Sequence, residues 1–194
     1  MAKRSKTGKS QPGRLRIVAG KWRSRLLDIA DVPGLRPTSE RIRETLFNWL
    51  SMRLHGARCL DLFAGTGALG LEALSRGAAE AVFVEQSAAA VRTLQNNIRM
   101  LDANGATVIK ADAFAYLESR PVPFDIVFLD PPFAADSLDE LCRLLEQRDV
   151  LANDALVYLE QDRSRPEVEL PDQWQLLKNK TAGNVRYMLA QRIA

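Results

Sequence analysis

Residues 60–70, LDLFAGTGALG, decide the fold of this chain. They predict a short buried strand, a glycine turn and a helix over residues 68–76. Gly65 and Gly67 lack a Cβ atom, so they can turn sharply and let a ligand lie against the backbone. Gly70 permits close packing of the helix on the strand. The spacing is the G-x-G-x-x-G pattern of dinucleotide and nucleoside sites. A turn with a purely structural role is the alternative.

The acids around this turn indicate the class of ligand. A second predicted strand ends at Glu85, roughly 20 residues after Gly65, which is the spacing of a ribose-binding carboxylate. A pyrophosphate favours a helix N-terminus without neighbouring anions, but Asp61 lies just before the turn. An anion there suits a cationic ligand. The pattern therefore favours S-adenosylmethionine, which carries an ammonium and a sulfonium, over a nicotinamide dinucleotide.

Length and composition predict one globular domain. The 194 residues are 46% hydrophobic and 26% charged, which is ordinary for such a domain. No apolar run is long enough to span a membrane, and the basic N-terminus lacks the apolar segment of a secretory signal. We expect Cys59 and Cys142, in apolar segments, to be reduced core thiols. The single histidine, His55, argues against a histidine-based zinc site. We predict a cytoplasmic monomer without a bound metal.

The net charge of +3 conceals an asymmetry along the chain. The first 27 residues carry nine Lys and Arg residues and no acid, whereas the rest carries 18 basic and 24 acidic residues, a net charge of −6. A basic arm on an acidic body is typical of proteins with a polyanionic partner, most simply nucleic acid. A tail that only increases solubility is the alternative, because a binding arm must lie beside a site.

Strand and helix patterns alternate after the glycine turn and predict an α/β, Rossmann-like fold. A mostly parallel sheet with helices on both faces follows from this alternation, and a glycine-containing link near the C-terminus predicts an antiparallel hairpin. A basic tail (1–13), predicted to be disordered, and a hairpin-and-helix extension (14–54) precede the core (55–194). The predicted strands are 15–19, 24–29, 59–63, 81–85, 107–110, 124–129, 155–159, 174–180 and 185–192. The predicted helices are 38–54 with Thr38 as its cap, 68–76, 87–101, a short one near 114–117, and 137–146.

The second motif, D-P-P-F at residues 130–133, follows the predicted strand 124–129. Ligands of parallel sheets bind at the carboxyl ends of the strands, and paired prolines fix φ and remove two backbone donors. The Asp130 carboxylate and a rigid carbonyl can accept both hydrogens of an exocyclic amine and direct its lone pair toward a methyl donor. Phe133 can stack on a flipped-out base. A rigid turn without a catalytic role is the alternative.

Four segments together resemble one family. They are GLRPT at 34–38, RIRETLFNWL at 41–50, DLFAGTGALGLEALSRG at 61–77 and DPPF at 130–133. The last is by itself similar to the signature of amino-methyltransferases that act on adenine N6, cytosine N4 or guanine N2. The combination resembles the RsmD family of class I methyltransferases over residues 14–192. Members of that family methylate guanine N2 in bacterial 16S ribosomal RNA (enzyme class 2.1.1).

The resemblance implies a site for S-adenosylmethionine. Asp61 and the glycine turn would hold its methionine part, Glu85 would accept both ribose hydroxyls, and Asp112 would accept from the adenine amino group. The candidate cofactor-binding residues are Asp61, Phe63, Ala64, Gly65, Thr66, Gly67, Glu85, Gln86, Asp112, Ala113 and Phe114.

The resemblance also implies the substrate site and the partner. Asp130 and the Pro131 carbonyl would hold guanine N2, Phe133 would pack on the base, and Pro132 completes the catalytic motif. The partner would be 16S ribosomal RNA within the small ribosomal subunit or an assembly intermediate. The candidate RNA-contacting residues are Arg14, Arg16, Lys21, Arg23, Arg25, Arg36, Thr38, Arg41 and Arg43.

Three other functions share parts of this pattern. An NAD-dependent oxidoreductase would share the glycine turn and Glu85, but the sequence offers no His or Tyr-Lys pair near a strand end for proton relay. A non-catalytic RNA-binding protein would share the basic arm and would have no reason for D-P-P-F. A methyltransferase acting on another RNA or on DNA adenine N6 would share both motifs. The DNA enzyme would usually need an added recognition domain, for which 194 residues leave little room.

Overall fold

A seven-stranded sheet forms the centre of the protein. The computed structural model describes residues 13–32, 37–119, 121–132 and 137–193. The strands are β1 (Arg14–Arg16), β2 (Leu26–Asp28), β3 (Arg58–Asp61), β4 (Glu80–Glu85), β5 (Ala106–Lys110), β6 (Phe124–Leu129), β7 (Leu151–Asp162), β8 (Trp174–Ala182) and β9 (Val185–Arg192). The helices are α1 (Glu40–Leu50), α2 (Ala68–Ser75), α3 (Ala88–Leu101), α4 (Ala113–Glu118) and α5 (Leu138–Gln147).

The order of the central strands is β5-β4-β3-β6-β7-β9-β8. The strands from β5 to β7 are parallel, and β9 and β8 are antiparallel. Strand order reverses between β3 and β6, where such sheets place their ligands. The predicted fold class, a mostly parallel sheet closed by an antiparallel hairpin, is confirmed.

Helices cover both faces of this sheet. Residues of α1, α2 and α3 share one buried cluster with Phe128 and Tyr158, and residues of α4 and α5 share the other with Val127 and Val157. Successive strand residues thus point to opposite faces, as the pleat requires. A Cβ atom on Gly70 would lie 2.2 Å from Phe83 Cε1 on β4, so the predicted close packing at this glycine is confirmed.

Helix α1 differs from its prediction at both ends. Its N-cap is Ser39, whose hydroxyl accepts from the Ile42 amide, and not Thr38. The Thr38 hydroxyl donates to Asp130 on another element instead. The helix ends at Leu50, where the Arg53 amide closes a turn onto the Leu50 carbonyl. Strand β7 is longer than predicted because Leu151 already pairs with Phe124.

The N-terminal hairpin is shorter than predicted. Strands β1 and β2 pair over three residues each, because the amides of Val18 and Ala19 leave the ladder and donate to the Glu72 carboxylate of α2. The hairpin is thereby attached to the helical layer. Cys59 and Cys142 are free and buried, as predicted. The described part of the chain contains no helix of the length and apolarity needed to cross a membrane.

Candidate active site

Five acidic side chains line the carboxyl edge of the sheet. Asp112, Glu85, Asp61 and Asp130 lie at or just beyond the ends of β5, β4, β3 and β6. Glu160 lies in β7, directly after the parallel pairing of β7 with β6 ends, and these five strands are neighbours in that order. Parallel strands bring their carboxyl ends to one edge, so acids far apart in sequence form a single row. Asp61 and Asp130 flank the point where strand order reverses.

The glycine turn between β3 and α2 is tight. Gly65 and Gly67 have φ values of +51° and +82°, a region that side chains with a Cβ rarely adopt. The Gly67 amide donates to the Ala64 carbonyl at 2.6 Å. A Cβ on Gly67 would lie 2.4 Å from Leu94 Cδ1. The buried Asp61 closes the turn, since its Oδ2 accepts from the Gly70 amide at 3.0 Å.

Glu85 is fixed by two backbone amides. Its Oε2 accepts from Gly65 at 2.9 Å and its Oε1 from Ser87 at 2.7 Å. A carboxylate has about four lone-pair sites, so each oxygen can accept one further hydrogen bond. The first contact ties Glu85 to the glycine turn, and the carboxylate is thus oriented before any ligand arrives.

Asp112 is the N-cap of α4. Its Oδ1 accepts from the amides of Phe114 and Ala115, while the side chain stays exposed. Ala113 is buried and Phe114 is half-buried beside it. These side chains place a fixed acceptor and an apolar surface at the end of β5.

The electrostatics of this edge favour a cationic ligand. Burial, together with the negative charges of Asp130 and Glu85, raises the pKa of Asp61 to about 7, although the hydrogen bond from Gly70 opposes the rise. The charged neighbours that act on Asp61 in the described part of the chain are therefore anions. A ligand with a positive charge would relieve both the burial penalty and the repulsion. The residues fit a sulfonium- and ammonium-bearing cofactor.

Asp130 is held from the N-terminus of α1. The Thr38 hydroxyl donates to Asp130 Oδ2 at 2.9 Å, and burial raises the pKa of Asp130 to about 6 although this bond opposes the shift. Pro131 is buried and Pro132 exposed. Phe133 lies outside the described residues. Asp130 Oδ1 accepts no hydrogen bond from the residues that the structure describes, so it is available to a substrate.

Comparison with known proteins agrees with this geometry. The family model described as conserved hypothetical protein 95 matches residues 15–191. Ribosomal RNA small subunit methyltransferase D of Escherichia coli K12 is 46% identical, with 97% of this chain and 96% of the relative covered. The chain belongs to the RsmD family.

Two further RsmD-type relatives support this membership. The Haemophilus influenzae protein of the same name is 42% identical over 92% of this chain and 94% of its own. The solved structure of the Escherichia coli protein yhhF superposes with a TM-score of 0.88 at 44% identity, with 94% of this chain and 99% of that chain covered. The chain is a methyltransferase with the Rossmann-like fold of class I.

The sequence analysis gave no role to one acid of this edge. Glu160 is buried in β7 just after its parallel pairing with β6 ends, and its Oε2 accepts from the Tyr158 hydroxyl at 2.7 Å. The rule that selected Glu85, Asp112 and Asp130, an acid where a parallel strand ends, would also have selected Glu160. The predicted strand ended at Leu159, and the acid after it received no role.

Arg43 does not lie on an RNA-accessible surface, contrary to the prediction. It is 1% exposed. Its guanidinium donates to the Thr38 carbonyl, the Glu72 carboxylate and the Arg16 carbonyl. Arg43 therefore joins α1, α2 and the N-terminal hairpin inside the protein. Thr38 is also buried, and its hydroxyl is turned to Asp130.

The remaining basic candidates lie on the surface. Arg16, Lys21, Arg23 and Arg41 are exposed. Arg14 lies 3.7 Å from the Asp28 carboxylate, and Arg25 donates to the Met100 carbonyl. Arg36 lies outside the described residues. The hairpin also lies close to Asp130, because Arg43 bonds both to the Arg16 carbonyl and to Thr38, the partner of Asp130.

Proposed function

We propose that this protein methylates the exocyclic N2 amine of a guanine in 16S ribosomal RNA of the small subunit. The donor is S-adenosylmethionine. The observation that carries the proposal is the pair of acids at the switch point: Asp61 is suited to a cationic cofactor, and Asp130 presents a free carboxylate oxygen beside it. The RsmD family supports ribosomal RNA as the substrate class, because its curated relatives are named for it. With such a substrate the protein would act in the cytoplasm.

The acids of the sheet edge would hold the cofactor. Asp61 would face its charged methionine part, Glu85 would accept from the ribose hydroxyls, and Asp112 would accept from the adenine amine. When bound, S-adenosylmethionine supplies an electrophilic methyl group on its sulfonium. The tight turn at Gly65 and Gly67 would bring the backbone close to the cofactor.

Asp130 and Pro131 would orient the substrate amine. An exocyclic amine of guanine is a weak nucleophile because its lone pair is delocalised into the ring. Asp130 Oδ1 and the Pro131 carbonyl can each accept one of its hydrogens and turn the lone pair toward the methyl group. On accepting the methyl group, the guanine nitrogen would become strongly acidic. Its proton leaves to Asp130 or to water.

The function is tested by methyl transfer with the purified protein. Small subunits and naked 16S ribosomal RNA from a strain lacking the gene are incubated with methyl-labelled S-adenosylmethionine, digested and resolved by mass spectrometry. The expected product is a single N2-methylguanosine. N6-methyladenosine, label in another RNA, or no transfer from S-adenosylmethionine to either substrate would contradict the proposal.

Glu85→Ala should weaken cofactor binding about 10-fold or more, which corresponds to the loss of one or two hydrogen bonds. Calorimetry with S-adenosylmethionine and its homocysteine product measures this, and NAD should give no heat. The control is Glu80→Ala at the other end of β4, where the carboxylate pairs with Arg58. Glu80→Ala should bind the cofactor with normal affinity. If Glu85→Ala also did so, Glu85 would not be a cofactor-binding residue.

Cofactor affinity should rise with pH through about 7. Asp61 is largely protonated below its raised pKa of about 7, and a cationic ligand favours its ionised form. Binding at pH 6 should therefore release a proton, and affinity should fall by up to about tenfold per pH unit below the pKa. Calorimetry in two buffers of different ionisation heat counts that proton. Equal cofactor affinity at pH 6 and pH 8 would show that Asp61 does not interact with the charged part of the cofactor.

Arg16→Gln should weaken RNA binding and make it less sensitive to salt. Each lost phosphate contact flattens the plot of log affinity against log salt by about 0.7–0.9. The control is Arg143→Gln, which removes a charge from α5 on the other face of the sheet. Binding titrations between low and moderate salt distinguish the two. If both variants gave the same slope of log affinity against log salt, the charge of Arg16 would not contact RNA and would serve only solubility.

A further inference from the structure

The C-terminal segment, residues 173–194, is a second basic part of the chain. It contains four cations and no acid, whereas residues 28–172 carry 14 basic and 24 acidic residues. The four cations are Lys178, Lys180, Arg186 and Arg192. They lie in β8 and β9, which close the end of the sheet opposite to β5.

Two of these cations already have acidic partners. Arg192 Nη2 lies 2.8 Å from a carboxylate oxygen of Glu146 on α5. Arg186 Nη1 lies 4.0 Å from a carboxylate oxygen of Glu167. The charges of both arginines therefore face acids of the protein itself.

The two lysines differ from the arginines in both position and partners. In the ladder of β8 and β9, Lys180 pairs with Tyr187 and Lys178 with Leu189. Tyr187 and Leu189 belong to the buried cluster on the α1 face of the sheet. Lys180 Nζ lies 5.7 Å from the ring centroid of Trp49 on α1, and this ring stacks on Tyr187 with centroids 5.4 Å apart. Both lysines are exposed, and neither forms an ion pair with any residue that the structure describes.

Lys180 lies in one row with the candidate catalytic acid. Asp130 and Glu160 directly follow the last residue pair of the β6–β7 ladder. Glu160 pairs with Tyr187, and Tyr187 pairs with Lys180. Neighbouring strands lie about 4.8 Å apart, so Lys180 is roughly 14 Å from Asp130 along this row. A stacked nucleic-acid strand rises about 3.4 Å per nucleotide, so about four nucleotides span that distance.

We propose that the β8 edge, defined by Lys178, Lys180 and Trp49, contacts the RNA strand that flanks the target guanine. The inference rests on the methyl transfer proposed above. With the guanine amine at Asp130, the strand would run over β7 and β9 to the β8 edge, where the lysines meet its phosphates. Trp49 orients Lys180 through the cation–π contact.

The position of the β8 edge complements that of the N-terminal hairpin. The hairpin is attached to α2 through the Glu72 carboxylate, toward the opposite end of the sheet. Basic side chains would thus hold RNA on both sides of Asp130, and the acidic remainder of the surface would not compete for its phosphates.

Protection of an edge strand is the alternative role for these lysines. Lysines and bulges both hinder edge-to-edge pairing with another chain, and β8 has an irregular register between Leu176 and Lys178. That role requires no particular face of the sheet. Both lysines nevertheless lie on the α1 face, the face from which Thr38 bonds Asp130. This placement favours contact with the substrate.

The first test measures the salt dependence of binding to 16S ribosomal RNA. Lys180→Gln should flatten the plot of log affinity against log salt by about 0.7–0.9, and Lys178→Gln/Lys180→Gln by about 1.4–1.8. Cofactor affinity and melting temperature should not change, because both side chains are exposed. Arg143→Gln on α5, which removes the same charge as Lys180→Gln, should keep the wild-type slope. Addition of Arg16→Gln should flatten the plot further by its own full amount, because the hairpin and the β8 edge are separate contacts.

The second test locates the contact on the RNA. The two cysteines of the chain, Cys59 and Cys142, are buried, so Lys180→Cys provides a single exposed thiol for a short photo-cross-linker. Cross-links to small subunits or 16S ribosomal RNA should map within about four nucleotides of the methylated guanine. Arg143→Cys is the positional control and should give no cross-link there.

These outcomes distinguish the inference from the proposed function. The inference is overturned if the wild-type protein methylates the RNA while Lys178→Gln/Lys180→Gln keeps the wild-type salt slope. It is also overturned if Lys180→Cys cross-links no nucleotide near the methylated guanine. Aggregation of the glutamine variants with an unchanged salt slope would assign the lysines to edge protection. If the wild-type protein transfers no methyl group, the proposed function itself fails.

Discussion

Asp130→Ala is expected to lower the single-turnover rate of methyl transfer by about 10²–10³-fold, the effect of removing one preorganised hydrogen-bonding group at a reacting centre. The carboxylate accepts one hydrogen of the amine and stabilises the positive charge that develops on nitrogen. Cofactor affinity should stay within a few-fold, because Asp61, Glu85 and Asp112 remain. The measurement is transfer to ribosomal RNA or small subunits at saturating cofactor, alongside calorimetry.

Asp130→Asn is the matched variant. It keeps an acceptor oxygen and loses the charge, so its rate should fall between those of alanine and the wild type. The wild-type rate should also decline below about pH 6, where Asp130 becomes protonated, and Asp130→Asn should lack that decline. Near-normal transfer by Asp130→Ala would leave D-P-P-F as a structural turn.

Much of the fold could be predicted because local patterns and tertiary structure agree. Residues 124–129 are apolar except for the exposed Asp125 and become β6 with those bounds. The glycine spacing requires a turn between β3 and α2, and Gly70 indeed lies against Phe83. Each of these features depends on residues that are close in sequence or on one neighbouring strand, so it can be predicted from local sequence patterns.

The parts that could not be predicted depend on contacts between distant segments. Thr38 has the sequence context of a helix cap, but Asp130, 92 residues away, takes its hydroxyl, and Ser39 caps the helix instead. Glu160 comes to lie beside Asp130 only because β6 and β7 are neighbours. A position between a basic arm and a nucleoside motif made Arg43 look like an RNA contact. Arg43 is buried because it forms an ion pair with Glu72 of α2. From the sequence, Glu72 was only a residue of a predicted helix.

Arg43→Ala is expected to destabilise the protein by about 3–5 kcal/mol, the usual effect of breaking a buried ion pair by removing one partner. Arg43 and Glu72 are 1% and 0% exposed and lie 3.3 Å apart. Alanine would leave the Glu72 carboxylate with Arg76 and two amides, and would leave the Thr38 and Arg16 carbonyls without this donor. The melting temperature should fall by roughly 6–20 °C for a domain of this size.

Arg41→Ala is the matched control for this prediction. Arg41 lies two residues earlier on α1, is exposed, and was an equal candidate for RNA contact. Its loss should change stability by no more than about 0.5 kcal/mol, and any effect should appear in RNA affinity. Denaturant unfolding and RNA titration of both variants separate the two roles. If Arg43→Ala were as stable as Arg41→Ala but bound RNA more weakly, Arg43 would be a substrate contact, and the three-way link between α1, α2 and the hairpin would have no part in holding the fold together.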